Sequence, residues 1–185
     1  MLTFSNGSIA VSTPADVAPL AALLNSAYRG ESSKEGWTTE AHLIAGNTRA
    51  SESSLQQILV LQNSVILKYS DEHQQIIGCV NLQQHAGRIY LGMLSVSPKL
   101  QGAGIGRQLL IAAEEYARQL HCNAVYMSVI SVRTELIEWY KRNGYKDTGK
   151  IKPFIEEEET GKHLQLLEFM ELEKSISREY TSDHR

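Results

Sequence analysis

The clearest chemical feature of this sequence is a glycine-rich turn between an apolar run and an amphipathic one. It reads Val96-Ser97-Pro98-Lys99-Leu100-Gln101-Gly102-Ala103-Gly104-Ile105-Gly106-Arg107, with glycine at every second position from 102 to 106. Glycines at a strand-to-helix turn let the backbone approach a ligand closely. The N–H groups that open a helix lack acceptors inside it and bind anions such as a pyrophosphate. The residues alone therefore predict an anion cradle.

Two familiar phosphate-binding motifs do not fit this turn. A dinucleotide fingerprint needs G-x-G-x-x-G, but counting from Gly102 and Gly104 the last glycine position holds Arg107. An ATP-binding P-loop needs Gly-Lys followed by Ser or Thr, whereas Gly149-Lys150 precedes Ile and Gly161-Lys162 precedes His. A different nucleotide-binding protein with the same turn stays open as an alternative, and it predicts that NADH or ATP competes for the site.

The elements that would position this turn follow from hydrophobic periodicity. Three short apolar runs with tight breaks, at residues 65–69, 76–84 and 89–96, predict an antiparallel meander. An amphipathic helix follows the turn and continues to Leu120, and residues 124–129 predict a buried strand.

The two ends of the chain complete the pattern. Thr13-Pro14 opens a helix, residues 29–38 predict a loop, and residues 39–45 and 53–62 predict further helical segments. After the buried strand come, in order, a helix at 133–142, an extended piece from Tyr145, a loop at 151–161 and a last strand at 164–172. This order predicts one mixed α+β domain over residues 1–174, with helices covering a central sheet, and a polar tail over 175–185.

Composition narrows the class of protein. The 185 residues are 42% hydrophobic and 21% charged, with a net charge of −3, which fits one globular domain and excludes collagen-like, disordered and disulfide-scaffold chains. No apolar run reaches the roughly 18–20 residues that span a bilayer, and residues 1–10 do not resemble a signal peptide. A cytoplasmic protein without a membrane partner is expected. The slight acidity argues against nucleic acid as the main partner.

The cysteines and histidines indicate no metal site. Cys79 and Cys122 stand alone, and no Cys or His pair has the spacing of metal ligands. Cys79 lies inside an apolar run, which predicts a buried, reduced thiol.

The turn resembles a known signature. Gln101-Gly102-Ala103-Gly104-Ile105-Gly106 is similar to the Q/R-x-x-G-x-G/A motif of the GNAT superfamily of N-acetyltransferases. The ending Trp139-Tyr140-Lys141-Arg142-Asn143-Gly144-Tyr145 resembles the family's L-Y-x-x-x-G-F/Y pattern. The resemblance covers residues 76–145 well, and the rest of the chain by element order.

The resemblance implies a fold and a reaction. It implies a mostly antiparallel sheet in which strands 89–96 and 124–129 splay apart, leaving backbone groups of Leu94 and Val96 free for the pantetheine arm of acetyl-CoA. The acetyl donor's pyrophosphate would lie on the glycine turn. A small-molecule or protein amine would attack the thioester directly in a ternary complex, so neither cysteine is needed. Residues expected to contact the donor are Leu94, Ser95, Val96, Gln101, Gly102, Ala103, Gly104, Ile105, Gly106, Arg107 and Ser131. Ser131 is also a candidate cap for the following helix.

Catalytic residues are implied in the same way. Tyr140 matches the family's tyrosine acid, and a phenol can protonate the leaving thiolate. Some relatives carry a glutamate base on the fourth strand, but residues 89–96 contain no acid and Tyr90 stands in the comparable place. Glu40 is the favoured base, because it lies in the front loop that walls the acceptor site in this superfamily. Water relayed by backbone groups stays open, as do Glu31, Glu35 and His85.

The sequence thus predicts an acetyl-CoA-dependent N-acetyltransferase. The missing acid on the fourth strand supports the alternative of a non-catalytic acyl-CoA-binding sensor on the same fold. The run at 156–159 consists of four glutamates, which predict either a solvated loop or a loop that attracts a cationic amine. The splayed sheet and the last strand are each compatible with a homodimer, although the sequence does not identify an interface. The acceptor itself is not predicted.

Overall fold

The computed structural model describes residues 1–156 and 161–177. The helices in these ranges are α1 (Val17–Tyr28), α2 (Gly30–Ser33), α3 (Glu52–Leu59), α4 (Ile105–Gln119) and α5 (Thr134–Arg142). The strands are β1 (Ile9–Val11), β2 (Ser64–Ser70), β3 (Ile76–His85), β4 (Arg88–Val96), β5 (Ala124–Ile130), β6 (Lys146–Pro153) and β7 (Glu168–Ser175).

All seven strands form one sheet in the order β1-β2-β3-β4-β5-β7-β6. Every neighbouring pair is antiparallel except β4 and β5, which run parallel. Helices pack on both faces. The predicted α+β class, with a mostly antiparallel central sheet flanked by helices, is confirmed.

Successive side chains of the meander enter different cores, because a strand alternates its side chains between the two faces of the sheet. In β3, Val80 packs in the core that contains α4, whereas Cys79 packs in the core that contains α1 and α3. Leu109 of α4 and Leu20 of α1 are both fully buried. The two cores hold α4, and with it the glycine turn, in a defined place beside β4.

Local capping and one ion pair set the start of α1. The Thr13 N–H donates to the Asp16 carboxylate at 2.8 Å, and Pro14 opens a short turn of 3-10 helix before the helix proper. Lys68 Nζ on β2 lies 2.8 Å from both carboxylate oxygens of Asp16. Burial acts to raise the pKa of Asp16, but the hydrogen bonds from Lys68 and Thr13 outweigh it and the pKa is lowered. This pair fastens α1 to β2.

β4 contains a bulge beside the glycine turn. Cys79 pairs with Ser95 and Asn81 pairs with Gly92, so β4 has one more residue than β3 between these two pairs. Met93 takes a positive φ of 53° inside the bulge. A bulge re-aims the backbone of its strand, and here it lies where β4 leaves β5.

Four local predictions were wrong. The loop predicted to start at residue 151 starts later, because β6 continues to Pro153. Residues 39–45 form turns and an isolated bridge rather than a helix, and the predicted loop at 29–38 contains the short helix α2. The last strand begins at Glu168 rather than at 164, because Leu164 and Leu166 face solvent while Phe169 pairs with Ile130 of β5.

The described structure continues past residue 174, the predicted end of the domain. β7 continues to Ser175, and Ile176 is buried in the core with its N–H bonded to the Asn123 carbonyl. Most of the predicted tail, residues 178–185, lies outside the described residues. None of the helices within residues 1–156 and 161–177 has the length and apolar character needed to cross a membrane.

Candidate functional site

β4 and β5 pair over a short stretch and then separate. The paired residues are Arg88 with Ala124, Ile89 with Val125 and Tyr90 with Tyr126, and the two strands share no pairs beyond them. β5 instead pairs along its whole length with β7 on its other side. The splay that the resemblance implied is therefore present, and it leaves an open edge on β4 from Leu91 to Val96.

A cleft of about 1200 Å³ opens on the α4 side of this gap. Its walls are the end of β4, the glycine turn, the start of α4 and one face of α5. Among the residues that line it are Leu94, Val96, Gln101, Gly102, Gly104, Ile105, Gly106, Arg107, Trp139, Tyr140 and Asn143.

The glycine turn forms one end of this cleft. Gly102 and Gly104 have φ values of 90° and 83°, a region that favours glycine, and a Cβ at either position would meet no atom within 4 Å. The first internal acceptor of α4 is the Gly104 carbonyl, which is bonded by the Gln108 N–H at 3.1 Å. The N–H groups before Gln108 in the first turn are thus available, and the positive end of the helix dipole favours an anion there. Arg107 is exposed at the same end.

Gln101 ties the front loop to this turn. Its Oε1 accepts from the Trp37 N–H at 2.8 Å, and its Nε2 donates to Thr38 Oγ1 at 2.7 Å and to the Val96 carbonyl at 3.2 Å. The approach is close at Gly36, where a Cβ would lie 2.4 Å from Gln101 Oε1. The Gln101 side chain therefore positions the loop, and its backbone is what remains for a ligand.

An aromatic row closes the far wall of the cleft. Trp139 contacts Trp37 and Tyr140 edge-on, with ring centroids 6.1 and 5.0 Å away, and Tyr140 contacts Tyr145 at 5.9 Å. Trp139 also packs against Gly106, where a Cβ would lie 3.3 Å from the indole. Trp139 is thus a packing residue between α5 and α4.

Tyr140 lies at the base of the gap. Its ring is buried, it lines the cleft, and no hydrogen bond from its hydroxyl to any described residue is present. Burial raises the pKa of Tyr140 well above its ordinary value; Tyr28 raises it further, and the positive charge of Arg133 acts in the opposite direction. Tyr140 therefore keeps its proton at neutral pH and has a free donor.

A second cavity of about 490 Å³ lies across the gap from the first. Four residues line both: Tyr28, Leu94, Leu136 and Tyr140. Its other walls come from the front loops, β4, β5 and the end of β6, and include Arg29, Glu40, Arg49, Tyr90, Ser128, Arg133 and Lys152. Two ligands in the two cavities would therefore meet at the bulge of β4.

Tyr28 holds that bulge. Its hydroxyl donates a hydrogen bond to the Leu94 carbonyl, and the guanidinium groups of Arg49 and Arg133 lie 5.7 and 5.9 Å from the centroid of its ring. Burial raises the pKa of Tyr28, so it stays a neutral donor. The resemblance implied free backbone groups at Leu94 and Val96, but the carbonyls of these two residues accept hydrogen bonds from Tyr28 and Gln101.

Glu40 lines the second cavity. Its Oε2 is 3.2 Å from Arg29 Nη2 and its Oε1 is 3.2 Å from Arg133 Nη1, and all three side chains are nearly inaccessible. Arg133 Nη2 also donates to the Thr38 carbonyl at 2.6 Å. Both carboxylate oxygens are engaged, so Glu40 joins α1, the front loop and the start of α5, an arrangement that suits positioning better than proton transfer.

Three residues expected to contact the donor do not line the cleft. The buried Ser95 hydroxyl donates to the Met93 carbonyl at 3.2 Å within the bulge. Ala103 is exposed outside the cleft. Ser131 does not cap α5, whose N-cap is Arg133, and its N–H donates to the Glu168 carbonyl at 2.8 Å. The side chains of β4 alternate between the two faces of the sheet, which decides the position of Ser95. The helix α5 begins at Thr134, two residues after the turn residue 132, which decides the position of Ser131.

The structure describes both cysteines and one residue of the acidic run. Cys79 and Cys122 are free and buried, and burial raises the pKa of both thiols. Of the acidic run, 157–159 lie outside the described residues, and the Glu156 carboxylate accepts a hydrogen bond from the His163 N–H at 2.8 Å.

Sequence reasoning missed Tyr28, Arg49 and Arg133. Tyr28 continues the helical spacing of α1, which is typical of a core residue, and its hydrogen bond to Leu94 depends on a strand that is distant in sequence. Arg133 precedes α5 and Arg49 lies in a loop without periodicity. The available signal was that three arginines, Arg29, Arg49 and Arg133, flank predicted helices near the proposed acceptor wall.

Comparison with known proteins agrees with this geometry. The sequence model described as "Acetyltransferase (GNAT) family" matches residues 24–145. Spermine/spermidine N(1)-acetyltransferase of Bacillus subtilis is 27% identical over 66 residues, which are 35% of this chain and 43% of that relative. The match thus spans less than half of the curated relative's length.

Solved structures share the fold. Ribosomal-protein-alanine N-acetyltransferase from Brucella melitensis superposes with a TM-score of 0.68 at 20% identity, covering 91% of this chain and 99% of that one. An acetyltransferase of the GNAT family from Staphylococcus aureus gives a TM-score of 0.64 at 14% identity, covering 91% and 98%. Because the family model matches well over half of the chain, the protein belongs to the acetyltransferase (GNAT) family.

Proposed function

We propose that this protein transfers an acetyl group from acetyl-CoA to an amine, by direct attack in a ternary complex. The observation that carries the proposal is the pair of cavities on either side of the β4–β5 gap, which share Tyr28, Leu94, Leu136 and Tyr140. Such a passage lets a donor and an acceptor enter from opposite faces and be held in a reactive geometry, which can lower a barrier substantially.

The larger cleft fits acetyl-CoA. The open space over Gly102 and Gly104 and the free N–H groups at the start of α4 suit a pyrophosphate, and exposed Arg107 adds a cation. The open edge of β4 at Leu94 and Val96 suits an extended amide-bearing arm, as an added strand would. Acetyl-CoA, when bound, supplies an activated acetyl thioester.

Tyr140 is the proposed acid. It lies where the two cavities meet, and its hydroxyl has no partner among the residues described here. When the carbon–sulfur bond breaks, the leaving sulfur needs a proton, and the Tyr140 O–H is placed to donate it. Burial that keeps the phenol neutral equally disfavours a bare thiolate, so the transfer suits this environment.

The amine loses its proton without a dedicated carboxylate base. The described lining of the acceptor cavity holds no histidine, and its one carboxylate is Glu40, which Arg29 and Arg133 engage. We therefore propose that water bound to backbone carbonyls and to the Tyr90 and Ser128 hydroxyls takes this proton. Glu40 then acts by fixing Arg133 and the front loop.

The acceptor is an amine on a small molecule or a protein. The B. subtilis relative is named for spermine and spermidine and the Brucella protein for the alanine of a ribosomal protein. The family thus includes acceptors of both kinds.

The test is release of free thiol from acetyl-CoA by the purified full chain with a panel of amines. Thiol release that needs both the protein and an amine, together with a product heavier by one acetyl group, is expected. Tight acetyl-CoA binding without release for any amine would instead favour the non-catalytic acyl-CoA sensor.

A further inference from the structure

The cavity proposed for the acceptor is strongly cationic. Four positively charged side chains line it within the described parts of the chain, and a single carboxylate does: Arg29, Arg49, Arg133 and Lys152 against Glu40. Glu40 bridges Arg29 and Arg133, so these three side chains together carry a net charge of one positive unit. Arg49 and Lys152 make the net charge of the cavity lining more positive.

Arg29 and Arg133 are both engaged in contacts within the protein. Each pairs with Glu40, and each also donates to a backbone carbonyl, Arg29 to Thr48 at 3.0 Å and Arg133 to Thr38 at 2.6 Å. Their guanidinium groups are almost inaccessible. They build the cavity wall and are not the groups that a ligand would engage first.

Arg49 differs from them. Its backbone N–H is bonded to the Asn25 carboxamide oxygen, so the residue is anchored, and its half-buried side chain reaches over the Tyr28 ring. Arg49 lines the cavity together with Tyr90. Within residues 1–156 and 161–177, no carboxylate lies within 4.0 Å of this guanidinium to pair with it.

A fixed guanidinium in a half-enclosed site is suited to a carboxylate. Its planar fork matches the two carboxylate oxygens, and such bonds are shorter and stronger than those between neutral groups. The same field opposes a ligand that carries several positive charges. A cavity of about 490 Å³ is also within the usual range for small molecules.

The geometry points to an acceptor that is a small amino-acid-like molecule, with a carboxylate beside the reacting amine and Arg49 as the partner of that carboxylate. This inference rests on the proposed function for its reaction, but the preference for a carboxylate is a property of the cavity. Lys152 at the rim strengthens the attraction. The proposal separates this chain from acceptors such as spermidine, which carry no anion.

The preference is measured first by binding, independently of turnover. Protein loaded with coenzyme A is titrated with N-acetylglycine, N-acetylmethionine and N-acetylglutamate, and with the matching amides, which lack the α-carboxylate. At least one acid is expected to bind about tenfold or more tightly than its amide, as a charge-assisted hydrogen bond allows. Equal binding of acids and amides, or no binding of any, would overturn the inference.

Variants then assign the preference to Arg49. Arg49→Gln is expected to abolish the difference between acid and amide and to leave acetyl-CoA affinity unchanged, whereas Arg49→Lys keeps part of it. Lys146→Gln, an equal loss of charge on exposed β6, is the control and should keep all of it. An acid preference that survives Arg49→Gln in a folded protein would rule out the assignment.

Turnover separates this inference from the proposed function. With the common amino acids, their amides and spermidine as acceptors, the amino acids are expected to have the highest kcat/KM. A preference for spermidine would contradict the inference and leave acetyl transfer standing. No thiol release with any amine, together with tighter binding of the acids, would contradict acetyl transfer and leave the carboxylate site standing.

Discussion

The Tyr28 hydroxyl, at the last residue of α1, donates a hydrogen bond to the Leu94 carbonyl in the bulge of β4. This contact joins residues 66 positions apart in sequence and lies at the boundary between the two cavities. It fixes the backbone of β4 at the point where a donor and an acceptor would meet.

Tyr28→Phe removes this hydrogen bond while keeping the ring. The partly buried Leu94 carbonyl then loses its partner, so we expect a loss of about 1–3 kcal/mol in the free energy of unfolding. We also expect a lower kcat, because the bulge is no longer held. Urea unfolding and steady-state kinetics measure the two effects. An unchanged stability would show that the contact is dispensable.

Tyr140→Phe tests the proposed acid. We expect kcat to fall by about a hundredfold or more, the usual contribution of a general acid, with little change in acetyl-CoA affinity. Tyr126→Phe, a phenol outside both cavities, is the matched control and should keep its activity. If both variants turn over like the parent protein, Tyr140 is a packing residue only.

Glu40→Gln separates a positioning role from a base. Removing the carboxylate leaves Arg29 and Arg133 buried without a counter-ion, so we expect the free energy of unfolding to fall by about 3–5 kcal/mol. Activity should fall in parallel with loss of the ordered front loop, and its pH profile should keep its shape. A stable variant that has lost an acidic limb of the profile would instead identify Glu40 as the base.

Cys79 predicts a dependence of stability on alkaline pH. Burial raises the pKa of its thiol from 9.0 to about 12. Because the unfolded chain releases this proton first, the stabilisation is complete below about pH 9 and is lost as the pH rises toward 12. The slope reaches about 1.4 kcal/mol per pH unit for one proton.

Urea unfolding of the parent protein and of Cys79→Ala over this range measures the effect. The alanine variant should show a shallower decline, since its other titrating groups are the same. It should also retain acetyl transfer, because direct attack needs no cysteine nucleophile. Parallel slopes would show that the thiol titrates normally in the folded protein.

Local sequence was enough to predict the meander strands, the helix that follows the glycine turn and the buried strand after it. β2, β3, β4, α4 and β5 were predicted to within one or two residues, because their apolar periodicity is strong and is reinforced by the faces they bury. β7 was misplaced, since Leu164 and Leu166 look like strand residues although they are exposed. Its register is decided by pairing with β5, which no local pattern encodes.

The candidate site divides in the same way. The glycine turn and Tyr140 belong to short sequence motifs that can be recognised without a structure, and both line the same cleft. The acceptor side depends on Arg49, Arg133 and Tyr28, which come from three distant segments. The role of Glu40 could not be predicted, because it depends on two arginines that lie just before α5 and just after α1.

The most direct test of the central claim is calorimetric titration of the purified protein with acetyl-CoA, with NADH and ATP in parallel and Gly104→Ala as a variant. We expect saturable binding of acetyl-CoA alone, weakened about tenfold or more by Gly104→Ala, because its methyl group occupies the open space over the turn and strains a left-handed residue. Gly87→Ala, with a similar φ and equal open space in the β3–β4 hairpin, should bind normally. Absence of acetyl-CoA binding, or binding that NADH or ATP matches, would contradict acetyl transfer as the function.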